Sequence, residues 1–339
     1  MDLNTVTISQ FTDLVSRDWS VQNKYIETGL AAQLFIVDDM PANTGDTRRY
    51  TEIDPETFAT VKEEGDEASK AEVYKGYEKD MTARRFAREI DITWEMRKFN
   101  KKPEVISKIT ALSHFCPQRM EMDLTHRLSF CTATSYADRD GHTVATTVGD
   151  TKALVSATHT LNGGGTTTSF SNVVTGNPIF SKGGLEVAEL QANTQIFSQY
   201  GERRVMSFNT IVTTDDPTTV NNVKQFLQST TDVDQNNPGV INVYKGKYRH
   251  LALPYLASDA YGAYDSTKKA YWGIVAAGQG QDGWQAYLGI WERPTLKSPA
   301  AGNNGEDFHT DNWCYGTRCT FGIVTVSPRG LIWSTGAGS

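Results

Sequence analysis

The chain has 339 residues, 38% of them hydrophobic and 22% charged, which is enough apolar material to fold as one elaborate or two smaller domains. Its 33 basic and 40 acidic residues leave a net charge of -7, which excludes a protein that grips nucleic-acid phosphates through an overall basic face. No run reaches the roughly 20 apolar residues of a membrane span, the start "MDLNTVTISQFTDLV" lacks the basic and apolar regions of a signal peptide, and four cysteines without a CxxC pair imply a reducing compartment.

Residues 1–45 read as an arm with one helical piece, because Phe11, Leu14, Val15, Trp19 and Tyr25 recur at loosely helical spacing before Pro41 and Gly45 break the chain. Residues 46–98 carry 14 of the 40 acidic and 11 of the 33 basic residues, so this segment is expected to bury little of its own. Phe86, Ile90, Ile92, Trp94 and Met96 fall on even positions, with Glu89, Asp91, Thr93 and Glu95 between them. That is the period of a half-buried strand over 86–96. Val73, Lys75 and Tyr77 alternate in the same way, and a long charged ribbon of two strands is expected, with Phe86, Ile90, Ile92 and Trp94 anchoring its base.

Downstream, Val105, Ile109, Leu112, Cys116, Met120, Leu124, Leu128 and Cys131 recur at helical steps. Pro117 lies among them, and the spacing therefore predicts two helices or one sharply kinked helix with the break there. Residues 135–180 are rich in Thr, Ser, Gly and Asn and predict loops and short strands. A helix follows from Ser181, expected to end at Gly201, and another opens where Asp216 can cap free amides and Pro217 suits the first helical position. Strands are expected in "RVMSFNTIVT", "GVINVYKG", "YRHLALPYL", "AYWGIVAAG" and "WQAYLGIWER", and alternation returns in "RCTFGIVTVSPRGLIWSTG".

Catalytic and metal-binding patterns are scarce. His159 precedes "NGGGTTTSFSN", which has no lysine and does not feed a helix, so it is no phosphate loop. "TDVDQNNPG" opens like a calcium loop through Asp232, Asp234 and Asn236, yet Asn237 and Val243 occupy the positions that need glycine and glutamate. Cys314, Cys319 and His309 have untypical metal spacing, and Glu306, Asp307 and Asp311 lie in a Gly/Asn-rich stretch. No GxSxG, HExxH or dinucleotide fingerprint occurs. No enzyme activity, catalytic residue, metal or cofactor is therefore expected. The tryptophans of the C-terminal third, Trp272, Trp284, Trp291, Trp313 and Trp333, suit either a core or the groove of a β-rich carbohydrate-binding module.

The succession of arm, charged ribbon, long helix, Gly/Asn-rich region, helix-and-strand domain and returning strand resembles the major capsid protein of tailed bacteriophages, the Hong Kong ninety-seven type of fold that encapsulin shells also use. "GDTKALVSATHTLNGGG" and "IFSKGGLEVAELQANTQ" resemble the stretches after the long helix in Mu-like head proteins, "FNTIVTTDDPTTVNNVKQFLQS" resembles a strand leading through a proline turn into an axial-domain helix, and "TVSPRGLIWSTG" resembles the closing strand. The resemblance implies an α+β fold divided into an N-terminal arm (1–45), an extended loop (46–98), a peripheral domain with a long kinked helix (99–200), an axial domain (201–300) and returning C-terminal strands (301–339). Pro117 departs from the continuous spine helix of many relatives.

The function implied is self-assembly through pentamers and hexamers into an icosahedral head that encloses double-stranded DNA without sequence-specific binding. Scaffolding and portal proteins are the further partners implied, no membrane is involved, and the product is a virion assembled in the host bacterial cytoplasm. The chain lacks the N-terminal scaffolding region of some relatives, so scaffolding is expected to be separate or already removed. An encapsulin-like compartment shares the fold and differs in contents. On this reading the extended loop lies over a neighbouring subunit and holds it non-covalently, through ion pairs from Lys70, Lys75, Lys79, Arg84 and Arg85.

Overall fold

A computed structural model describes residues 8–22, 29–41, 44–55, 58–70, 73–161, 168–231, 241–299 and 311–338. The candidates Asp232, Asp234, Asn236, Asn237, Glu306, Asp307 and His309, the glycine run at 163–165 and Tyr25 lie outside them. Two four-stranded sheets organise the chain. The first has the order β1-β12-β13-β4, built from Ile36–Asp39, Ala286–Lys297, Trp313–Thr325 and Arg84–Ile92; β1 runs parallel to β12 and the other pairs are antiparallel. The second, β10-β9-β11-β14, uses Arg249–Leu253, Thr210–Thr214, Trp272–Val275 and Leu331–Ser334, with a parallel β10–β9 pair.

The second sheet is covered on both faces. Trp272 and Ile274 of β11 join a cluster with Leu185, Ala188 and Ala192 of helix α4 (Lys182–Thr194) and Val223, Phe226 and Leu227 of helix α5 (Pro217–Gln228). On the other face Val275, Trp333 and Val212 join the largest core cluster, with Met120, Leu124 and Leu128 of helix α3 (Lys102–Ser129) and Leu288 and Ile290 of β12. A strand buried on both sides loses polar alternation, and all four residues of β11 and of β14 are buried. Trp272, Trp284 and Trp333 are fully buried, so these rings fill the core and do not line a glycan groove.

Helix α3 runs unbroken through Pro117, so of the two expected forms, two helices or one kinked helix, the single helix is the one formed. Proline in a helix interior costs about 3 kcal/mol, whereas burying one large apolar side chain returns about 1.5–3 kcal/mol. Leu112, Cys116, Met120, Leu124 and Leu128 are all buried around the proline, and their combined burial outweighs the lost hydrogen bond. The second half is enclosed on every side from Met120 to His126. Some of its polar groups find partners there: Glu121 Oε1 accepts from the Ala31 amide at 3.1 Å and His126 Nε2 lies 3.0 Å from Ser258 Oγ, whereas Thr125 Oγ1 and His126 Nδ1 have no hydrogen-bond partner among the described residues. Burial and the nearby Lys268 lower the His126 pKa to about 4.

Three expected element ends move. Helix α4 stops at Thr194, not Gly201, because residues 196–204 fold back in a turn where Phe197 bridges Arg203 and Gly201 takes a positive φ. "GVINVYKG" forms no strand among its described residues. Asn242 there donates to the Phe226 and Ser229 carbonyls at the end of α5 and accepts from the Tyr244 amide at 3.0 Å, which favours a turn. At the α5 start Asp216 caps the Thr218 and Thr219 amides as expected.

The third change concerns Trp94. Strand β4 ends at Ile92, Thr93 caps a short helix α2 (Trp94–Lys98) by accepting from the Met96 amide at 3.3 Å, and Trp94 is 45% exposed. Trp313 occupies the buried place instead, in register with Ile92, 5.6 Å from the Phe11 ring of helix α1 (Ile8–Gln22) and under the Arg97 guanidinium. Trp94→Ala is accordingly expected to change stability by no more than about 1 kcal/mol. A urea midpoint shifted by several kcal/mol equivalents would contradict that placement.

Candidate functional site

The ribbon consists of β2 (Thr47–Pro55) and β3 (Val73–Thr82), antiparallel from Thr47↔Thr82 to Pro55↔Val73. This corrects the expected pairing: the 86–92 stretch leaves the ribbon and pairs with β13 in the first sheet. The ribbon also buries more than its charge suggests. Tyr50, Tyr77 and Met81 form a cluster with Met40, Val324 and Val326, and Tyr50 stacks on Tyr287 at 4.3 Å. Tyr50 donates to Asp38 Oδ2 at 2.7 Å, and Tyr77 donates to the Thr160 carbonyl at 2.8 Å. Burial raises the pKa of both phenols.

Period-two geometry turns Tyr50, Glu52 and Asp54 inward while Ile53 faces solvent. A register shift between Thr51 and Ile53 lies beside Glu52, and Gly76 of β3 lets the Glu52 side chain pass: a Cβ at Gly76 would come within 2.9 Å of Glu52 Oε2. Arg329 meets these carboxylates from the turn before β14. Its Nη2 lies 2.5 Å from Glu52 and its Nη1 2.8 Å from Asp54, with a further donation to the Phe197 carbonyl at 3.1 Å. Gly330, at φ 82°, makes that turn possible, and its Cα packs on the Trp284 backbone where a side chain would not fit.

All three charges are buried, with Arg329 only 1% exposed. The Gln199 amide and Arg204 add bonds to Asp54 at 2.8 and 3.4 Å, and Gln285 reaches Glu52 at 3.4 Å. Burial alone would depress the Arg329 pKa, but Glu52 and Asp54 beside it hold it above the ordinary arginine value. The knot ties the loop end of the ribbon, where Asp54 pairs with Tyr74, to the body of the chain across 275 and 277 residues of sequence. Next to it, residues 58–70 are exposed throughout, Val61 to 95%.

The cations expected to reach a neighbour are placed unequally. Lys70 and Arg85 are exposed, and Lys75 is exposed beside Glu78. Lys79 points into the body, donating to the Thr147 carbonyl at 2.7 Å, with its pKa lowered by burial and by Arg127. Arg84 pairs with the buried Asp138, which also accepts from Arg119 at 3.2 Å. Arg119 further engages Asp123 at 3.0 Å and Asp140 at 2.7 Å, tying α3 to the turn between the short strands β5 (Ser135–Ala137) and β6 (Thr143–Ala145). Of the expected anchors, Phe86 stacks on Phe321 at 4.7 Å and Ile92 and Ile90 pack with Phe11, Val15 and Trp313.

Sequence reasoning missed Glu52, Asp54 and Arg329. The alternation Tyr50, Glu52, Asp54 was a usable signal for one buried face, but nothing local marks Arg329 as its partner. His159 has a structural setting: its Nδ1 lies 2.8 Å from the buried Asp150 and its Nε2 3.2 Å from Asn172. Cys314 is partly buried, and Cys319 is buried near Cys116. Among the described residues no group of three or more His, Cys, Asp or Glu could hold a metal ion, and no helix is long and apolar enough to cross a membrane.

No family model matches the sequence, and no curated protein matches it either. Solved structures do. The capsid of Ralstonia phage GP4 aligns over 92% of this chain and 90% of its own, with 11% identity and a TM-score of 0.51. The cyanophage Pam1 capsid aligns over 94% and 93% at 10% identity and a TM-score of 0.49, and the capsid of cyanophage P-SCSP1u over 89% and 86% at 11% and 0.49. At such low identity the likeness is one of fold, and this chain has the α+β fold of the GP4 capsid chain.

Proposed function

We propose that this chain is the shell subunit of a tailed-phage head, a major capsid protein without enzymatic activity. It assembles as pentamers and hexamers in the host cytoplasm, takes scaffolding and portal proteins as partners, and encloses double-stranded DNA in the virion. The observation that carries the reading is the ribbon. A chain with the fold of the GP4 capsid protein seats a two-stranded ribbon on its body, locks the ribbon's loop end in a buried charge knot and leaves the connecting residues 58–70 exposed. An arm that buries nothing at its tip is stable where a neighbouring copy covers it.

The division into arm (1–45), extended loop (46–98), peripheral domain (99–200), axial domain (201–300) and returning strands (301–339) is the working map of that subunit. Within the loop, Lys70, Lys75 and Arg85 are the cations offered to a neighbour, whereas Lys79 and Arg84 are engaged inside the chain. Electron microscopy of the expressed protein is expected to display rings or closed shells. A compact monomer at every salt concentration overturns the proposal. Particles from the native source that hold a protein cargo and no DNA favour a compartment shell instead.

A further inference from the structure

Beside β4 a groove of about 770 Å³ opens between that strand, the middle of α3, the turn at 139–140 and the segment around 255–262. Arg85 and Arg88 from β4, Arg119 from α3 and Arg139 from the turn line it. Arg119 is spent on Asp123, Asp138 and Asp140, but Arg85, Arg88 and Arg139 are exposed. Two carboxylates share the wall: Asp140, which Arg119 holds at 2.7 Å, and Glu89. Tyr255 and Tyr261 complete it, the latter 68% exposed. Exposed arginine next to tyrosine is the composition of a protein interface centre.

The complementary surface belongs to the same chain. Glu63, Glu64, Asp66 and Glu67 crowd around Gly65 at the ribbon tip, all exposed, with Phe58 and Val61 also facing solvent. A tip cannot readily fill the groove of its own subunit. Strand β3 has ten residues, which span about 30 Å, and only Ala83 separates it from β4, so Arg85 and Arg88 lie at the root of the ribbon while the acids lie at its far end.

We propose that the acidic tip of one copy docks in the arginine groove of another, Glu63, Glu64, Asp66 and Glu67 facing Arg85, Arg88 and Arg139, with the apolar tip side chains against Tyr255 and Tyr261. The inference rests on the shell reading in taking a second copy as the occupant. It reverses the polarity expected from sequence: at this contact the ribbon contributes carboxylates and the neighbour contributes cations.

The test begins with a labelled peptide of residues 58–70, titrated by fluorescence anisotropy into the unassembled full chain. Saturable binding is expected, weakening with salt and falling about tenfold in the exposed-surface variant R85E/R88E/R139E, whose circular dichroism should equal that of the parent. The full-length variants E63K/E64K/D66K/E67K and R85E/R88E/R139E are each expected to assemble poorly, and the chain that combines both sets should assemble again. Absent peptide binding, binding indifferent to the groove reversal, or a combined chain that fails to recover overturns the docking. A parent chain that binds the peptide yet never forms shells overturns the shell reading and leaves the docking standing.

Discussion

Arg329→Met is expected to destabilise the protein by about 3–5 kcal/mol, because it leaves the Glu52 and Asp54 carboxylates buried without their cation. The intact knot need not be a large net stabiliser, since three charges were taken out of water to build it. Breaking one side is costly because the other side cannot regain water without moving the ribbon. The substitution should therefore do two things: lower the urea midpoint, and expose β2 and β3 to protease near the knot while the helical core stays folded. Glu52→Gln with Asp54→Asn in the Arg329→Met background should recover part of the loss, since neutral amides need less compensation than carboxylates. A variant as stable and as protease-resistant as the parent would falsify the role given to the knot.

Trp272→Ala is expected to cost about 3–5 kcal/mol, the range for removing a large aromatic ring from a close-packed core. The ring is fully buried, meets Phe180 edge-on at 5.3 Å, and donates from Nε1 to the Pro178 carbonyl at 2.8 Å. Ser334 of β14 donates to that same carbonyl at 2.7 Å, so the indole helps to hold the segment before α4 onto the sheet. Trp272→Phe keeps most of the apolar contact and loses the hydrogen bond, and should cost about 1–3 kcal/mol. Equal losses for the two variants in chemical denaturation would show that packing contributes nothing at this site.

Local patterns carried much of the fold. Helical spacing located α1 and the apolar stripe of α3, Asp216 with Pro217 located the start of α5, and alternation located β4 and β13. These features were legible because capping chemistry, a helical stripe and a pleat act over a few neighbouring residues. The same patterns misplaced Trp94, because even-numbered spacing continues past Ile92 while the Thr93 cap stops the strand.

Pairing partners and compensation were decided only by tertiary structure. That β4 bonds to β13, more than 200 residues away, and β3 to β2, depends on which partner buries Phe86 and Ile92 and which receives Tyr77 and Met81. That α3 continues through Pro117 depends on the apolar surface waiting on both sides of the proline to offset the missing hydrogen bond. The candidate site lies at the same level: Glu52 and Asp54 look like solvated acids until Arg329 arrives from the far end of the chain. Short-range sterics and hydrogen bonding determine what each segment of this protein can become, but burial depends on what packs against it, and only the assembled fold brings those groups together.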